Sequence, residues 1–208
     1  SKKFNIELSE PDVSPLALQG PKAPDVMNNI VGSWAKELKF FYFKETKIDN
    51  IPVVISKSGW SGEVGFEIYL RDSSLGNKLW ELIMQAGKKY NIRPATPSQI
   101  NRIEGGMLSY GSDMTLDENP FDIGLEKFID LDKKAEFLSK DALTYVEKNG
   151  SKKELVGIEI LAEPFTNFVA DHLMVCFNKE QVGKITSSVY SPRLKKNIGL
   201  ALINRRNR

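Results

Sequence analysis

A carboxylate, a phenol and an indole fall within one short run, Ser58-Gly-Trp-Ser-Gly-Glu-Val-Gly-Phe-Glu-Ile-Tyr-Leu70. In an extended strand Glu67 and Tyr69 share one face, whereas Phe66, Ile68 and Leu70 share the other. A carboxylate beside a phenol, with Trp60 just ahead, could hold a flat heterocycle that donates hydrogen bonds. Gly59, Gly62 and Gly65 allow a tight turn or the close approach of a ligand. The plainer alternative is a glycine-rich hairpin whose polar face, Glu67 included, is simply solvated.

The elements that would position this run read as mixed α and β. Val13 to Leu18 is a candidate strand, and Pro21 to Val31 a short helix entered through Gly20-Pro21. Leu38 to Phe43 is aromatic and strand-like, and a turn at Asp49-Asn50 leads to a strand over Val53 to Ser56. Asp72 or Ser73 can cap a helix running to about Tyr90, with Leu75, Leu79, Leu82, Ile83 and Ala86 as its apolar stripe. The order suggests a split β-α-β arrangement.

A second helix is expected from Thr96 as N-cap, with Pro97 first, Gln99 completing a capping box and Gly111 as C-cap. Ile100, Ile103 and Met107 line one face, and Arg102 lies off that stripe ahead of Gly105 and Gly106. Asp113 to Asn119 reads as an acidic loop with Asp113 and Asp117 solvated, and Leu138 to Val146 as a helix closed by Asn149-Gly150. From Lys152 the pattern becomes short strands, Leu155–Leu161, Leu173–Phe177, Gln181–Ser187 and Ile198–Ile203, which suggest a small β barrel or sandwich.

Bulk properties bound the function. A formal charge of +2 argues against a polyanion partner, so no nucleic-acid binding is expected. The basic stretches Arg193 to Lys196 and Arg205 to Arg208 read as solvated ends. One cysteine, Cys176, excludes an intrachain disulfide framework and suits a reducing cytoplasm. In its apolar strand Cys176 reads as core, and His172 as a strand-edge residue; together they offer no metal-ligand cluster. No apolar run approaches membrane-spanning length, so a cytosolic protein without a membrane partner is expected. Phe4, Ile6 and Leu8 alternate as if inside a strand, and Ser1 is not an initiator methionine. The expectation is a fragment, or a chain whose numbering restarts. No sequence signal bears on oligomeric state.

Several segments together carry a family resemblance. The run Ser58 to Leu70 resembles the GYTGExGFEI signature of the glycine cleavage T-protein family, the folate-dependent aminomethyltransferases and their demethylase relatives. Pro15 to Ala23 resembles the family's LALQGPKA segment, Arg102 to Gly111 its RxEAGxxxYG helix, and Phe137 to Leu143 its FIGKEAL segment. Gly183 to Pro192 is similar to its GxVTSGxxSP pattern. These stand in the family's order.

The resemblance implies an α+β fold: a partial ferredoxin-like folate-binding domain over 1–95, a helical linking segment over 96–150 and a partial C-terminal β barrel over 151–208. It implies tetrahydrofolate as cofactor and one-carbon transfer to its N5 nitrogen. The donor would be an aminomethyl group on a carrier protein or a methylated sulfonium or ammonium betaine. Glu67 matches the folate-binding glutamate, whose ionised carboxylate can accept both adjacent donors of a pterin. Trp60 stands where aminomethyltransferases usually carry tyrosine, and resembles the sulfonium-betaine demethylase branch, whereas Gly62-Glu63 resembles the aminomethyltransferase branch. Trp60 is read as a stacking wall for the folate, a face for a cationic substrate, or a half-buried core aromatic. Tyr69 either lines the Glu67 pocket or is a cross-strand aromatic partner. Arg102 either approaches the folate or holds a neighbouring carboxylate. The family's catalytic aspartate sits in a motif resembling GGxxND that has no counterpart here, so no catalytic residue is assigned and these residues alone are expected not to turn over. The rival from another class is a noncatalytic folate-binding protein; the KGCYxGQE motif of iron–sulfur maintenance relatives is absent.

Overall fold

Alternation of buried and less buried positions along the two central strands builds the first sheet. The computed structural model describes residues 5–168 and 173–205. The strands are β1 (Ser14–Gln19), β2 (Phe43–Ile48), β3 (Ile51–Ser56) and β4 (Gly65–Leu70), joined antiparallel in the order β1-β4-β3-β2. Ile55 pairs with Ile68, Val53 with Leu70, and Leu18 with Phe66, so one face is continuous hydrocarbon. Helices α1 (Ala23–Val31) and α3 (Gly76–Gly87) cover that face, adding Val26, Met27, Leu79 and Ile83 to the buried cluster. Each fully buried side chain of that size contributes about 1.5–3 kcal/mol relative to exposure. The carboxylate of Asp72 caps the chain ahead of α3, accepting from Ser74 N at 3.0 Å. The crossover through α1 and α2 (Trp34–Glu37) runs from one sheet edge to the other, spanning two strands rather than the one of a split β-α-β unit.

Two strand expectations in this half fail for local reasons. Of the aromatic stretch Leu38 to Phe43, only Phe43 belongs to a strand, as the first residue of β2. Phe41 adopts a φ of 65° and Tyr42 N donates to Lys39 O, a turn that aromatic content alone does not disclose. Ile6 and Leu8 are exposed and belong to no strand, while Phe4 lies outside the described residues.

The chain divides into two compact units, 1–97 and 98–208. In the second, α4 (Gln99–Glu104) starts later than the proline suggests. Ser98 takes the extended cap conformation and its hydroxyl accepts from Asn101 N at 3.2 Å, displacing Thr96 from that role. Gly105, not Gly111, closes the helix; Gly111 sits in a turn with a φ of 88°. Helix α5 (Lys140–Asn149) ends at Gly150 as its composition suggests. Strands β5 (Lys153–Ile160), β6 (Met174–Phe177), β7 (Glu180–Ser191) and β8 (Lys196–Asn204) form an antiparallel sheet in the order β5-β8-β7-β6. Strand β7 runs beyond Ser187 because Ser188 to Ser191 keep pairing with β8. Cys176 is exposed rather than core, since β6 is an edge strand. His172 lies outside the described residues. Arg193, Lys196 and Arg205 pair at the surface with Glu104, Glu159 and Glu154.

Candidate functional site

The polar face of the first sheet follows from the register of β4. Glu67 pairs laterally with Ala17 of β1 and Ser56 of β3, and Tyr69 with Pro15 and Val54. Ala17 and Ser56 are small, so the Glu67 carboxylate stands clear of bulky neighbours along its row. Phe66, Ile68 and Leu70 are buried on the opposite face, as alternation requires.

Glu67 is half-buried and held from one side. Ser58 Oγ donates to Glu67 Oε2 at 2.5 Å, and Tyr69 OH donates to the same oxygen at 3.3 Å. Ser58 Oγ also lies 2.9 Å from Ser56 Oγ. Among the described residues none hydrogen-bonds to Oε1, so the carboxylate retains acceptor capacity on the side away from Ser58. Burial raises the Tyr69 phenol above its ordinary value, and the adjacent Glu67 charge adds to the effect. A phenol so held stays protonated at neutral pH and remains a donor. The structure therefore brings Glu67 and Tyr69 together, and adds Ser58, which spacing did not disclose. Trp60 follows in the same turn, 38% exposed, so it is not a core aromatic.

The glycines of this turn serve a side chain of the protein itself. A Cβ on Gly59 or Gly65 would overlap the carboxamide of Gln19. Gln19 Nε2 donates to Ser58 O at 3.1 Å and Phe66 O at 3.3 Å, and its Oε1 accepts from Ser61 Oγ at 2.6 Å. Gly62 needs its freedom for another reason, a φ of 73°. No local spacing singles out Gln19, because its partners Ser58, Ser61 and Phe66 lie far off in the chain and reach it only through the pairing of β1 with β4.

Arg102 belongs to the second unit and is fully buried there, as is Asp113. Arg102 Nη1 pairs with Asp113 Oδ2 at 2.7 Å and also donates to Met107 O; Nη2 donates to Ser187 Oγ at 2.8 Å and Nε to Gln99 Oε1. Ser109 N donates to Asp113 Oδ2 at 2.9 Å, and Thr186 Oγ1 to Asp113 Oδ1 at 2.7 Å. Ser187 Oγ donates to that Oδ1 as well. Adjacent strand residues normally point to opposite faces; a bulge between Ile185 and Ser187 in β7 turns Thr186 and Ser187 onto one carboxylate. The expected solvation of Asp113 is thus overturned: Arg102 and these donors compensate its burial, whereas Asp117 is exposed. Two motifs far apart in sequence, Arg102 to Gly111 and Gly183 to Pro192, prove to be each other's partners. Glu104 reinforces this by accepting from Ser191 Oγ and from Arg193 Nε. Among the described residues no His, Cys, Asp and Glu group could hold a metal ion.

Comparison with known proteins adds the following. Residues 2–133 match the family model described as the GCVT N-terminal domain, and residues 153–207 the glycine cleavage T-protein C-terminal barrel domain. A dimethylsulfoniopropionate demethylase of Ruegeria pomeroyi is 36% identical over 99% of this chain and 55% of its own length. An aminomethyltransferase of Thermoanaerobacter pseudethanolicus is 37% identical over 97% of this chain and 55% of its own length. The chain thus spans about half the length of the curated relatives it matches. The crystal structure of glycine cleavage system aminomethyltransferase T from Bartonella henselae superposes with a TM-score of 0.75 at 24% identity, over 93% of this chain and 52% of that one, which shows a common α+β fold.

Proposed function

From the premise that this chain belongs to the glycine cleavage T-protein family, we propose that it serves a tetrahydrofolate-dependent one-carbon transferase and binds the folate on the Glu67 face of its first unit. Tetrahydrofolate, when bound, supplies N5 as the acceptor of the carbon. The observation that carries the reading is the one-sided anchoring of Glu67: Ser58 and Tyr69 engage Oε2, leaving acceptor capacity for the paired N–H donors of a pterin ring. The donor set fits the ligand, and the small neighbours Ala17 and Ser56 leave room for it.

In this reading Glu67 orients the ring by charge-assisted bonds, and Tyr69 stays neutral to hold Glu67 in place. Trp60 provides a flat wall. Arg102 acts through Asp113 and Ser187, fixing the 107–113 loop rather than reaching out to the ligand. No residue of this chain is assigned the acid–base role, because Asp113 is enclosed and fully engaged. The cytosolic setting belongs to the same proposal; among the described residues no helix is long and apolar enough to cross a membrane.

Glu67→Gln tests it. The substitution preserves shape but replaces one acceptor with an NH2 donor that faces the donors of the ring, and should weaken tetrahydrofolate binding by about 1–3 kcal/mol in calorimetry. Equal affinity for both proteins would refute the assignment.

Trp60 favours a second reading of the donor. A 38% exposed indole in the turn that leads into β4 suits a sulfonium or ammonium cation as well as an aromatic ring. The near-equal identities to the demethylase and the aminomethyltransferase leave both donors in play.

A further inference from the structure

Gln19 stands on the same sheet face as Glu67, at the end of β1 and directly opposite Gly65. Its amide is enclosed by the glycine turn, and its polar atoms are spent within the protein. Both Nε2 hydrogens go to carbonyls, of Ser58 and Phe66, and Oε1 takes the Ser61 hydroxyl. Such a group has no donor left for a ligand. It does fix the backbone of Ser58, whose hydroxyl is the short donor to Glu67 Oε2. Gly59 and Gly65 are glycines because any Cβ there would occupy the space of this carboxamide.

We infer that Gln19 is a positioning residue: through Ser58 it sets which oxygen of Glu67 is held and which is presented to the folate. The inference rests on the proposed folate reading, and deepens it by naming what orients the carboxylate. Two sequence segments with separate motifs, Pro15 to Ala23 and Ser58 to Leu70, thereby form one device.

The test measures tetrahydrofolate binding by calorimetry for wild type, Gln19→Met, Ser58→Ala, the double variant and Glu67→Gln. Gln19→Met keeps length but removes every hydrogen bond. The expected result is roughly three- to tenfold weaker binding for Gln19→Met and for Ser58→Ala, with the double variant no weaker than the worse single one. Indole N–H resonances in ¹⁵N–¹H spectra supply the second readout. In Gln19→Met the Trp60 signal should shift while those of Trp34 and Trp80 stay. Wild-type affinity in Gln19→Met alongside weakened Glu67→Gln would overturn the positioning role and leave the folate reading intact. Unchanged affinity in Glu67→Gln would overturn the folate reading and this inference with it. Movement of all three indole signals would make Gln19 a general structural support and also overturn the inference.

Discussion

Phe66, Ile68 and Leu79 close the first unit with hydrocarbon, whereas Arg102, Asp113, Thr186 and Ser187 sit fully buried in the second. In the first unit polar side chains are sorted onto the sheet face away from the helices, where Glu67 keeps capacity for a ligand. In the second, Arg102, Asp113, Thr186 and Ser187 are turned inward and satisfy one another. Both regions carry motif-like polar residues, so motif content does not separate a binding site from an internal network. What separates them is where the register sends the side chain and whether its hydrogen-bonding capacity is already spent. Hydrophobic contacts are non-directional and tolerate rearrangement, while a buried ion pair tolerates no loss of one partner.

The largest effect that could break this comparison is on stability. Asp113→Asn changes almost no volume yet leaves the Arg102 charge uncompensated, and should cost about 3–5 kcal/mol. Ile68→Leu, also volume-conserving, should cost less than about 1.5 kcal/mol. Denaturant unfolding of each variant, with amide exchange to assign the unit affected, measures both. A smaller loss for Asp113→Asn than for Ile68→Leu would erase the distinction.

Acid should act on the same divide. Burial pushes the Glu104 carboxyl up, but hydrogen bonds from Ser191 and Arg193 outweigh it and hold the group below its ordinary value. Glu118 behaves alike: burial raises it, and bonds from Lys153 and Thr115 bring the net shift down. A depressed carboxyl contributes stability that is complete above the ordinary glutamate value of 4.5 and drains as pH falls through the lowered one. Asp25 and Asp49 in the first unit are also lowered, chiefly by hydrogen bonds from Lys36 and Lys78, but those pairs are exposed and screened by salt. Amide exchange followed in high salt from neutral pH down through that lowered range should therefore show the second unit loosening before the first. Simultaneous loosening would contradict this.

The smallest effect concerns Trp60. Replacing it with tyrosine should leave the melting temperature in place and weaken a sulfonium or ammonium donor by about 0.5–2 kcal/mol, with less effect on folate. Equal losses for donor and folate would strip Trp60 of any role toward the cation and leave it a wall of the folate site alone.

Much of this was legible in the sequence, and the gaps have physical causes. Period-two alternation assigned the two faces of β4, because only one face can be buried. The N-terminal cap at Asp72 was readable from residue type. Asp113 was not: its burial depends on Arg102, 11 residues before it, and on Thr186 and Ser187, which lie far off in the chain at a bulge that no local pattern announces. Gln19 was hidden for a similar reason, since its partners Ser58 and Ser61 meet it only through sheet pairing. The turn at Phe41 escaped notice because a left-handed aromatic residue is uncommon.

The most direct test of the account is a tetrahydrofolate titration of the ¹⁵N-labelled protein with residue-resolved spectra. Shifts should concentrate on Ser58, Trp60, Glu67 and Tyr69, while amides of Asp113, Thr186 and Ser187 stay in place. Shifts centred on Asp113 and Ser187, with the Glu67 strand unmoved, would contradict it.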